Sequence, residues 1–135
     1  MTVTVQRPGQ RRWGFELTAL RSNGLAAGTF SNLTLLTGTQ AFSGRFYVNH
    51  TTVNGEDGTF ADSTSGHWQF NWMAPAVGAG AVTFYATGNA ADGNGSSLPG
   101  GGTSDFIYST TATSQEGSAT AVDATTWGKI KMLYR

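Results

Sequence analysis

His50 and His67 are the only histidines among the 135 residues, and Asn54, Glu56, Asp57 and Asp62 lie between them. With Asp57 or Asp62 the two imidazoles could supply a zinc or copper site, which needs at least three protein ligands. Such a site would make the chain a small metal-assisted hydrolase or oxidase. Asn54, Glu56, Asp57 and Asp62, with backbone carbonyls, could instead hold calcium, a cation that prefers oxygen. Their spacing does not follow the EF-hand loop. Asn54-Gly55 and Asp57-Gly58 are also strong turn formers, so the same residues read more simply as a solvated hairpin turn.

A second set of polar residues, Asn89, Asp92, Asn94 and Asp105, flanks a stretch rich in Gly, Asn and Ser over residues 88–104. That stretch is not a phosphate loop, because no Gly-Lys-Ser/Thr follows it and no helix opens after it. It reads as a long surface loop, and such loops often carry binding function. No Gly-x-Ser-x-Gly elbow accompanies the serines and histidines, so nothing points to a serine hydrolase. Paired carboxylates for glycoside cleavage are defined by a distance in space, and eight acidic residues, mostly in turns, give them little support. Arg7, Arg11 and Arg12 make a local basic patch that could meet a sulfated glycan or a carboxylate, or simply be a solvated strand end. Aromatic stacking on sugar rings would make the chain a carbohydrate-binding module. Trp68, Phe70 and Trp72 share one face and read as core, as do Trp13 and Phe15. Trp127 and Tyr134 are better candidates for exposure. No catalytic residue is assigned and no cofactor is expected.

The elements that must position these residues are strands. Charged residues are only 12% of the chain, and eight basic and eight acidic side chains cancel. A general nucleic-acid binder would need a basic excess to gain from counterion release, so that class is set aside. There is no cysteine, hence no disulfide framework, thiolate zinc site or thiol nucleophile. No apolar run is long enough to span a bilayer, and no signal peptide is present. The length suits one domain over residues 1–135.

Strand candidates are Thr2 to Gln6, Arg11 to Arg21, Gly28 to Phe30, Leu33 to Leu36, Arg45 to Val48, His67 to Trp72, Ala81 to Thr87 and Asp105 to Ser109. In Arg11 to Arg21, Trp13, Phe15, Leu17 and Ala19 alternate with more polar positions, as in a half-buried strand. Residues 114–124 read as loop. The tail 125–135, with Trp127, Ile130, Leu133 and Tyr134 as anchors, fits either a strand or a helical turn. Short strands with frequent turns predict an all-β antiparallel sandwich or barrel.

One order of motifs adds to this. Arg12-Trp13-Gly14-Phe15-Glu16-Leu17 is followed by Ala27-Gly28-Thr29-Phe30 and Asn49-His50-Thr51. Then come Trp72-Met73-Ala74-Pro75 and Val82-Thr83-Phe84-Tyr85-Ala86-Thr87-Gly88-Asn89-Ala90. This order resembles the Reeler domain, the module at the start of reelin- and spondin-type extracellular proteins, and looks nearest to its bacterial secreted or surface-anchored relatives. The resemblance implies an immunoglobulin-like β-sandwich, an extracellular place, and a role in recognition, adhesion or display. It brings no catalytic residues with it, and it implies that the His50 ring, at a motif position, holds a loop through hydrogen bonds. Animal members carry cysteines, which this chain lacks. Relatives also have a segment before the equivalent of Thr2, in some bacterial members with a haem-attachment motif. Its absence would leave an edge strand open, which favours a homo-oligomer. The expected partner is an extracellular protein or glycan, contacted through loops 51–66 and 88–104.

Overall fold

Alternation of apolar and polar residues, broken by turn formers, gives strands and no helix in the computed structural model, which describes residues 1–31, 33–53, 56–95 and 105–117. The strands are β1 (Thr2–Val5), β2 (Arg12–Arg21), β3 (Thr29–Ser31), β4 (Thr37–Phe42), β5 (Arg45–His50), β6 (Thr52–Val53), β7 (Glu56–Asp57), β8 (Gly66–Gln69), β9 (Asn71–Met73), β10 (Val82–Ala91) and β11 (Phe106–Ser114). No helix among the described residues is long and apolar enough to cross a membrane.

Five strands form one sheet in the order β11-β10-β2-β5-β4, with every pairing antiparallel. Opposite it, β1 pairs with β8 and β3 pairs with β9. Only Phe70 separates β8 from β9. The inner residues of the large sheet, Trp13, Phe15, Leu17, Val48 and Ala90, pack against Val5, Trp68 and Phe70 from the other layer. Phe15 lies 4.5 Å from the Trp68 ring and stacks on Phe70 at 5.9 Å. This is the antiparallel β-sandwich that the sequence predicts. Of the expected aromatic face of Trp68, Phe70 and Trp72, the first two are buried in it, while Trp72, in β9, is half-buried against Phe84.

Among the described residues each indole N–H finds a carbonyl, as a polar group in or beside a core must. Trp13 donates to Ser63 O, Trp68 to Gly58 O and Trp72 to Ala27 O, at 3.2, 2.9 and 3.0 Å. Trp13 and Trp68 thereby tie residues 58–63 to the core. Between β4 and β5 the chain reverses in two residues, Ser43 and Gly44, with φ of 50° and 75°. Two positive φ values define the type I′ turn, whose twist matches a hairpin.

Several boundaries differ from the sequence reading. His67 to Trp72, read as one strand, is broken at Phe70 into β8 and β9, Arg45 to Val48 runs on to His50, and the expected loop 51–66 holds the short pair β6–β7. Leu33 to Leu36 is a turn region, and the strand is β4, just after it. The Thr34–Thr37 hydrogen bonds close that turn. Gly88 to Ala91, read as loop, continues β10. Gly88 has no side chain because Val5 occupies the space: a Cβ there would lie 2.7 Å from Val5 Cγ2. The strand read as ending at Ser109 runs on to Ser114, because β11 pairs with β10 through Val82↔Ser114. The tail 125–135 lies outside the described residues.

Candidate functional site

The stretch with the most chemistry on paper is tied up in holding its own fold. His50 ends β5, and its Nδ1 lies 3.1 Å from both Phe15 N and Phe15 O. One tautomer accepts from the N–H and the other donates to the C=O. The regular β2–β5 ladder covers only Glu16↔Asn49, Leu17↔Val48 and Thr18↔Tyr47, so the imidazole adds one more link where the strands part. His67 is exposed, with its ring 4.7 Å from Phe60. Among the described residues no three His, Cys, Asp or Glu side chains gather as a metal site would require.

Asp57 serves the loop in the same way. Its Oδ1 accepts from Thr59 N and Thr59 Oγ1 at 2.9 and 2.5 Å, and Oδ2 from Ala61 N at 3.3 Å. Arg12 stands 3.9 Å away. The Thr59 hydroxyl, the Thr59 and Ala61 N–H groups and Arg12 together hold this carboxyl below its usual pKa, against some burial that pushes the other way. Asp62 makes a largely exposed pair with Arg11 at 3.9 Å. Glu56 is exposed in β7. Asn54 lies outside the described residues.

The second predicted set is partly drawn together. Asp105 Oδ1 accepts from Asp92 N at 3.3 Å. Asp92 accepts from both Asn94 N and Asn94 Nδ2 at 2.9 Å. This is an Asx-type turn at the end of β10. Asn89 sits away from it, within β10 opposite Gly14 and Ile107. Its Oδ1 is buried without a hydrogen-bond partner among the described residues.

A concavity that neither predicted set lines as a group lies on the outer face of the five-stranded sheet. It is a groove of about 480 Å³ over β2, bordered by β10 and β5, within the usual range for small-ligand sites. Thr18 and Leu20 form its floor and are buried. Tyr85 of β10 and Tyr47 of β5 face each other across Thr18, because the register aligns Tyr85↔Thr18 and Thr18↔Tyr47. The same row continues to Thr111 on β11 and Gln40 on β4. Tyr85 is 47% exposed. Glu16, Arg45, Thr83 and Thr87 complete the rim.

Arg45 is anchored by its Nε–H, which donates to Gly24 O at 3.3 Å. The Thr18 hydroxyl donates to Phe46 O at 2.8 Å, so the floor's polar atom is satisfied. Sequence reasoning missed this site. The available signal was phase: Tyr47 and Tyr85 sit out of step with the buried Val48 and Val82, which sends both to the outer face.

Comparison with known proteins finds two solved structures of the human F-spondin reeler domain. One is 27% identical with a TM-score of 0.42, covering 64% of this chain and 62% of that one. The other is 30% identical with a TM-score of 0.42, covering 64% of this chain and 57% of that one. The chain resembles a reeler domain. It spans about three fifths of the length of those two solved chains. No protein-family model and no curated protein matches it.

Proposed function

We propose that the chain is an extracellular, non-catalytic recognition module of the Reeler kind, one domain over residues 1–135, secreted or displayed at a cell surface. The observation that carries this is the Tyr47–Thr18–Tyr85 row over an open groove. An aromatic pair on a rigid sheet, Tyr85 exposed and Tyr47 half-buried, supplies contact area at small entropic cost. Loops 51–66 and 88–104 were the expected contact regions. Asp57 in the first and Asp92 at the start of the second are engaged within the protein, so the outer face is the better contact surface. The nearness to bacterial surface-anchored relatives and the adhesive role belong to the same proposal. So does self-association through an open strand edge.

Staining of intact cells with fluorescently labelled protein tests the reading. The wild type should stain at least one cell type, and the Tyr47→Ala/Tyr85→Ala variant should lose most of that signal while keeping the wild-type thermal transition. Equal staining by both proteins would overturn it.

A further inference from the structure

The chemistry of the outer-face groove is specific enough to name a class of ligand. We infer that it binds a neutral glycan; this rests on the outer face being the binding surface.

Tyr47 and Tyr85 stand two strands apart, which places their Cα atoms about 9.6 Å from each other. That gap admits a pyranose ring, whose C–H face is the apolar surface an aromatic side chain accepts. Between them the floor is low, because Thr18 is short and Leu20 is buried. The rim is dominated by groups that both donate and accept: Thr83, Thr87 and the two phenols. Sugar hydroxyls have the same dual character. A groove built of hydroxyls satisfies them in either direction, whereas a peptide backbone asks for an open strand edge or an apolar anchor pocket.

Two charged side chains complete the fit. Glu16 can accept from two neighbouring sugar hydroxyls at once, and the Arg45 guanidinium can donate to another pair. Arg21 is the other charged group at the groove. One carboxylate against two guanidiniums leaves the groove a net charge of only +1, and the whole chain is neutral. A polyanion would gain little from one surplus charge, because electrostatic capture needs a large excess of positive charge. A neutral sugar chain needs no such excess.

The groove is also ready-made. Thr18 is held by Phe46 O and Arg45 by Gly24 O. Strands β2, β5 and β10 are fixed by their ladders. Little ordering remains to be done on binding, which favours weak, shallow ligands such as oligosaccharides.

The test is titration of the isotope-labelled chain with neutral gluco-, xylo-, manno-, galacto- and N-acetylglucosamine oligosaccharides, read by amide chemical shifts. At least one series should move the resonances of residues 16–20, 45–47 and 83–87, and longer members should bind more tightly than the monosaccharide. Tyr85→Ala should weaken binding about tenfold, and Tyr85→Phe, which keeps the ring, should hold it within about threefold. A sulfated oligosaccharide and a random peptide pool run beside them. Shifts at these residues from either of those, with none from the neutral series, would overturn the neutral-glycan assignment. Silence across the neutral panel would overturn it too. If staining of cells still depends on Tyr47 and Tyr85 in that case, only the ligand class has failed; if staining is also indifferent to them, the binding face itself is wrong.

Discussion

His50 stands in for a strand at Phe15. Its Nδ1 lies 3.1 Å from the Phe15 N–H nitrogen and the same distance from the Phe15 carbonyl oxygen. The ring takes up a backbone position that β5 abandons as it turns away. At the other end of the same short ladder, the Thr18 hydroxyl holds Phe46 O. Side chains thus finish both ends of a three-pair ladder, and the groove sits over the strands they hold.

His50→Ala should therefore leave one Phe15 backbone group, the N–H or the C=O according to the tautomer, without its partner and cost about 1–3 kcal/mol. Gly14 makes the relationship testable from the other side, since a Cβ there would come within 2.8 Å of His50 Cε1. Gly14→Ala should destabilise the wild type by about 1–3 kcal/mol but should be close to neutral when His50 is already Ala. Urea unfolding of the four proteins measures the coupling. Equal costs of Gly14→Ala in both backgrounds would show that the ring does not occupy this space.

Gly28 carries a φ of 70°, and a Cβ at that position would lie 2.2 Å from Met73 O and 2.6 Å from Trp72 Nε1. Neither the carbonyl nor the indole can step aside without breaking the β3–β9 pairing or the Trp72–Ala27 bond. Gly28→Ala should cost about 3 kcal/mol or more. A thermal transition unchanged from wild type would contradict this packing.

Asp57 sets an acid dependence. Its hydrogen bonds from Thr59 lower its folded pKa below that of an ordinary aspartate, so the unfolded chain takes up the proton more readily than the folded one. The stabilisation is complete above the unfolded pKa and is lost as pH falls through the folded one. Because the side chain is more than one third exposed, the gain is small, on the order of 1 kcal/mol or less. Unfolding measured from pH 5 down to about pH 2 should fall more steeply for wild type than for Asp57→Asn. Parallel curves would mean that the carboxylate adds nothing.

Strand β11 offers nine residues with no charged side chain, and it pairs only with β10 among the described residues. Natural edges are usually guarded by charge or proline. Light scattering should show mass rising with concentration, and Thr111→Lys should return the chain to a monomer. A strict monomer for wild type at high concentration would remove this edge as an interface.

The sequence made the core legible because β2 states its own phase: Trp13, Phe15, Leu17 and Ala19 are all buried. The same logic placed Trp68 and Phe70. It failed where a strand is not half-buried. Thr37–Phe42 is an edge strand with only its first residue buried, so no alternation marks it, while the apolar Leu33 to Leu36 drew attention and proved to be a turn. β11 hid for the same reason, exposed along nearly its whole length. The groove was hidden by topology. Tyr85, Thr18 and Tyr47 meet only because β10, β2 and β5 are neighbours in space, and strand order is a pairing of distant segments that local patterns do not encode.

The central strand β2 is made early, but β10, which flanks it on one side, is made late. As the chain emerges from its N-terminus, Trp13, Phe15 and Leu17 have no opposing layer until Trp68 and Phe70 appear, and the large sheet cannot close until β10 follows. Pairings between such distant segments are slow to form. The growing chain therefore stays open and apolar through much of its synthesis, exposed to aggregation until the second layer and β10 arrive to close it.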